Sequence, residues 1–177
     1  MPHGIENNMN TSEMQMMKDM TNYFVGEKQE SVLFMLVALM AMGLAVWMWT
    51  NGHRLRFMAL PLVVVALMQL VVGVTIFART DAQVAKLSTQ LTSSPIEFKQ
   101  SETERMQRVM ANFKLYKTVE LVLLVVGACL IAFLSKSDAA TGIGIGLVVQ
   151  AGFTLALDLF AEARGDAYLR ALAGVAA

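Results

Sequence analysis

Residues 57–78 read FMALPLVVVALMQLVVGVTIFA, a run with no charge and a single amide, Gln69. A helix rises 1.5 Å per residue, so about 20 apolar residues cross a hydrocarbon layer of roughly 30 Å. This run is long enough to do so. A helix also satisfies its own backbone in lipid, whereas barrel strands are only about 10 residues long. Three similar runs surround it, because residues 31–50, 121–135 and 139–157 also carry no charge. Taken to their polar boundaries, the spans are expected at about 31–50, 57–78, 118–135 and 139–161.

The composition agrees, with 56% hydrophobic and only 16% charged residues in the 177-residue chain. Soluble domains carry about 25% charged residues. None of the four runs has a solvated face, and the charges cluster between them. The expected fold is an all-α integral membrane protein, an antiparallel bundle of four transmembrane helices. Domain 1–30 is read as an amphipathic N-terminal segment and 31–177 as one membrane domain.

The polar N-terminal residues have no basic lead into the first apolar run, so no cleavable signal peptide is expected. The single cysteine, Cys129, excludes an intramolecular disulfide. A formal net charge of zero gives no reason to expect a nucleic-acid partner.

The short connections 51–56 and 136–138 must share one side of the membrane. They hold Arg54, Arg56 and Lys136, against eleven bases on the other side, Lys18, Arg79, Lys117 and Arg170 among them. The positive-inside bias therefore puts both termini and residues 79–116 in the cytoplasm of a bacterial inner membrane. Trp47 and Trp49 would mark the outer interface, while the cluster His53-Arg54-Leu55-Arg56 works against this orientation. An exposed loop histidine is the ordinary reading of His53, with contact to a lipid phosphate as the alternative.

Residues 79–116 are read as a helical hairpin that continues spans two and three. Val84, Leu87 and Leu91 recur at helical spacing, as do Met106, Val109, Met110 and Phe113. Between them Ser94 suits an N-cap, Pro95 the first helical position, and Glu97 a capping box. In the N-terminal segment Met16, Met17, Met20 and Phe24 share one side of a helix suited to the membrane interface. Methionines are soft ligands for Cu(I), but at helical spacing they serve more often as adaptable packing.

The last span carries Gln150, Thr154, Asp158 and Glu162, a polar residue at every fourth position. Counted inward at 1.5 Å per residue, Gln69 and Gln150 both lie about 17 Å deep and are expected to meet. Asp158, Glu162, Glu120, Arg79 and Lys117 gather near the inner boundary. One reading is a structural belt of ion pairs; the other is a cation path or site with Asp158 and Glu120 as oxygen ligands or proton carriers. A four-residue step drifts by about 40° per step on a helix, so the ladder need not face one pore.

Upstream, Gly142 and Gly146 form a GxxxG pair suited to close helix packing, against span two or between subunits. The histidines, His3 and His53, lie outside the spans, which argues against a haem held by axial histidines. No nucleophilic set assembles at one depth, so no catalytic residue and no cofactor are assigned, and any metal is left unspecified. The leading expectation is a non-enzymatic homo-oligomer, with ion conduction as one use of its polar ladder. The alternative is an accessory or scaffold subunit that docks a partner through 79–116. A lipid-active membrane enzyme using Asp158 and Glu120 ranks last. The expected partners are the bilayer, further copies of the chain, and a protein at the hairpin.

Overall fold

The computed structural model describes residues 11–52 and 54–174. His53 lies outside the described residues, as do His3 and the first third of the 1–30 segment. The described chain is helical apart from its connections. Helix α1 covers Thr11–Thr50, α2 Ala59–Ser93, α3 Pro95–Phe133 and α4 Asp138–Gly174. All four are long and apolar enough to cross a membrane. Their 35 to 40 residues correspond to about 52–60 Å, well beyond the roughly 30 Å hydrocarbon thickness.

Each connection has a local cause. The side-chain amide of Asn51 donates to the Trp47 carbonyl (2.8 Å) at the end of α1. Gly52 then turns the chain with φ 61°, a conformation that favours glycine. A short 3₁₀ turn, Arg56–Met58, leads into α2. Ser137 caps α4, its hydroxyl oxygen accepting from the Ala140 backbone N–H at 3.3 Å. Between α2 and α3 only Ser94 is non-helical, and Pro95 opens α3. The capping box does not form, because the Ser94 side chain makes no capping hydrogen bond. Its backbone is used instead, with Ser94 N–H donating to Gln90 O at 2.9 Å and Phe98 N–H to Ser94 O at 3.0 Å.

Helix α1 lies along α2 and α3 along α4, and α4 also touches α1 and α2. Two separate cores result. Towards the short connections, Ala38, Ala41, Ala45 and Met48 of α1 pack on Ala59, Leu62 and Ala66 of α2. Alanines at helical spacing let the two backbones approach closely, which is how helices gain contact within lipid. Towards the termini, all four helices contribute to a core of larger side chains. Met16, Met20, Tyr23 and Phe24 meet Leu87, Leu91, Phe98, Met106, Tyr168 and Leu172 there.

This second core changes the reading of the N-terminal segment. Residues 11–30 are not a separate interfacial element but the first half of α1. Their apolar stripe is buried against other helices, with Met20 and Phe24 at most 1% exposed. The arms of the 79–116 hairpin do not stand alone either. Leu87, Leu91 and Phe98 meet across it, and α1 and α4 complete its core.

The glycine run of α4 serves two neighbours. Gly142 and Gly146 face the start of α2, where added Cβ atoms would meet the backbone of Met58 at 3.0 Å. Gly144 faces the opposite way, onto Gly127 of α3. Alternating glycines therefore let α4 fit between α2 and α3.

Candidate functional site

The ionisable residues of the four helices come together where the helices leave their apolar stretches on the termini side. Lys28 of α1 pairs with Asp81 of α2 at 2.7 Å, and Arg79 of α2 with Glu27 of α1 at 3.2 Å. Lys117 of α3 pairs with Glu162 of α4, and Arg164 of α4 with Glu30 of α1. The Arg164 side chain reaches Glu30 by crossing Gly26, where a Cβ would collide with its Cδ at 2.7 Å. Each helix is thus joined to at least one other at this level. Burial pushes the Glu30 carboxyl above its ordinary range, and the hydrogen bond from Arg164 opposes that rise.

Of the residues singled out from sequence, Lys117 and Glu162 are brought together. Arg79 instead binds Glu27, and Glu120 and Asp158 make no ion pair among the described residues. Those two carboxyls lie within electrostatic reach of each other, with the Thr154 hydroxyl beside Glu120. Thr154 itself donates to the Gln150 carbonyl at 3.0 Å, as hydroxyls inside helices commonly do. Glu120 is 8% exposed, and its Oε2 has no hydrogen-bond donor among the described residues.

Deeper in the apolar stretch, Gln69 and Gln150 are buried, at 4% and 3% exposure. They do not bond to each other within the chain. Both amide atoms of Gln69 and the amide nitrogen of Gln150 lack a partner among the described residues. Depth counting placed them at one level but could not fix the direction in which each points.

Sequence reasoning missed a second polar group. Glu102 of α3 is 1% exposed inside the termini-side core. Arg105 holds both of its oxygens, at 2.7 and 2.8 Å, and the Tyr168 hydroxyl donates to it at 3.1 Å. Tyr168 stacks on Tyr23 with ring centroids 4.7 Å apart, and the Arg105 guanidinium lies 5.9 Å from the Tyr23 ring. Burial alone would lower the Arg105 pKa, but its bonds and attraction to Glu102 hold it above the ordinary value. Burial, with Glu27 nearby, pushes Tyr23 up to about 12. Tyr168 is raised too, by burial first and then by the Glu102 charge. The spacing of Glu102 and Arg105 reads in sequence as an exposed helical pair, so the cue was weak.

At the opposite end, Arg54 pairs with Asp138 at 2.8 Å, tying the first connection to the start of α4. An apolar groove of about 370 Å³ lies between α1 and α2 there, lined by Ala45, Trp49, Ala59 and Val63 among others. A second groove, of about 380 Å³, is lined by Asp19, Asn22, Tyr23, Arg164, Ala167 and Tyr168. Neither reaches the polar ladder. Among the described residues no three His, Cys, Asp or Glu side chains converge as metal ligands. The chain matches no protein-family model, no curated protein and no solved structure.

Proposed function

We propose that this chain is a non-enzymatic membrane scaffold, an accessory subunit that docks a partner at the tip of its 79–116 hairpin. In this reading the four helices form an antiparallel bundle in a bacterial inner membrane, with the hairpin and both termini cytoplasmic. The observation that carries it is the second core. A membrane anchor needs only the apolar halves of these helices, yet each runs on by several turns into a packed end. That end has its own aromatic and methionine core and the buried Glu102–Arg105–Tyr168 group. Such a platform is stiff where it meets the spans, because ion pairs join the helices at the boundary. Its tip presents Thr92, Ser93 and Ile96, the last 60% exposed.

The test is in vivo crosslinking from a photoreactive amino acid placed at Ile96. A scaffold gives a discrete adduct whose added mass differs from that of the chain. Charge reversal at the exposed bases Lys86 and Arg108 weakens this adduct, while substitution of the outward-facing Val126 does not. No adduct from the tip contradicts docking there.

A second reading, a homo-oligomer with an ion path between copies, is favoured by the unpartnered amides of Gln69 and Gln150. Groups of this kind in mid-membrane ordinarily find a partner on another helix. Its sign would be a crosslinked product of exactly two chains, together with ion flux in liposomes that Asp158→Asn alters.

A further inference from the structure

Every base of the boundary belt already holds an acid, and among the described residues Glu120 and Asp158 are left over. They stand on the packed pair α3 and α4, one helical turn from the Lys117–Glu162 ion pair. Glu120 is more than nine-tenths buried, and its unpartnered Oε2 belongs to a carboxyl within reach of Asp158. A buried carboxylate without compensating charge is strongly unfavourable, and a second carboxylate within electrostatic reach makes it more so. Lys117 also faces Asp158, but its ammonium is held by Glu162. Glu30 and Glu162 add further negative field at Asp158.

We propose that Glu120 and Asp158 together bind a hydrated divalent cation of the Mg²⁺ class between α3 and α4. The donors are oxygens, which suit a hard cation. Two carboxylates match a double positive charge, and Mg²⁺ characteristically keeps several waters while binding one or two carboxylates. The Thr154 hydroxyl lies beside the Glu120 carboxyl at the same level. The pair lies on the termini side of the Gly127–Gly144 crossing, next to the Lys117–Glu162 ion pair. Bound there, it clamps α3 to α4 where the helices enter the membrane. This site does not depend on the docking reading.

The experiment uses the full chain in nanodiscs of phosphatidylcholine, whose zwitterionic headgroups compete weakly for metal. Mn²⁺ binding is followed by electron paramagnetic resonance, and thermal unfolding is compared in Mg²⁺ and in EDTA at matched ionic strength. The wild type is expected to bind Mn²⁺ saturably, to release it to Mg²⁺, and to unfold several degrees higher in Mg²⁺. Glu120→Gln and Asp158→Asn lose both effects yet remain helical, because removing charge relieves repulsion. Asp166→Asn, at an exposed ion pair with Arg170, retains both. Absence of saturable binding, or equal binding by the two variants, overturns the proposal. So does an unfolding midpoint that rises on acidification but ignores Mg²⁺, because a proton then neutralises the pair.

Discussion

Gly127 on α3 and Gly144 on α4 stand back to back. A Cβ on Gly127 would lie 2.8 Å from the Gly144 carbonyl oxygen, and one on Gly144 would lie 2.7 Å from that of Gly127. Only hydrogen fits at this crossing, so Gly144→Leu must force the helices apart. Overpacking of this kind costs about 1–3 kcal/mol. Gly43 is the control, because nothing lies within 4 Å of an added Cβ there. Gly43→Ala is expected to be neutral or to stabilise by up to about 1 kcal/mol through helix propensity. Thermal unfolding in mild detergent separates the two variants.

Glu102 anchors the termini-side core through Arg105 and Tyr168. Glu102→Ala leaves a largely buried guanidinium without its partner and is expected to cost about 3 kcal/mol. Asp166→Ala removes an ion pair whose side chains are 71% and 50% exposed, and its cost stays below about 0.5 kcal/mol. Equal losses in chemical denaturation would contradict the central place given to Glu102.

Alkaline pH should loosen the same end. Tyr23 rises from an ordinary 10.0 to about 12, chiefly through burial, and Tyr168 shifts in the same direction. Between those values the folded chain retains protons that the unfolded chain releases, so stability falls as pH rises. The contribution is whole below about pH 10 and is lost on the way to about 12. Phenolate absorbance and helicity, followed together through this window, should show late tyrosine ionisation accompanied by loss of helix. The Tyr23→Phe, Tyr168→Phe double variant should flatten the part of the decline that belongs to these rings.

Gln69 buries an amide with no partner among the described residues. Burying such a group without a hydrogen bond costs about 1–3 kcal/mol, so Gln69→Leu is expected to raise the unfolding midpoint. A lower midpoint, accompanied by a lighter particle in light scattering, would mean that the amide has its partner in another copy.

The four apolar stretches were legible because length and lack of charge alone decide them. Helical periodicity through Val84, Leu87 and Leu91, and again through Met106 and Val109, also identified the extensions of α2 and α3. What covered those extensions was not legible. The stripe Met16, Met20 and Phe24 satisfies a membrane interface as well as it satisfies three other helices, and periodicity does not tell the two apart. Counting residues gave the depth of Arg79 but not its azimuth, so its pairing with Glu27 rather than with Asp158 or Glu120 could not be read. Glu102 was invisible for a related reason. A carboxylate three residues before an arginine ordinarily marks a solvated helix face, and only the approach of Tyr168 and Tyr23 puts it in a core.

The most direct measurement is the mass of the adduct formed from a photoreactive residue at position 96 in living cells. The scaffold reading predicts a single product heavier than the chain by a mass other than its own, weakened by charge reversal at Lys86 and Arg108. A product of two chains, or none from the tip, would contradict it.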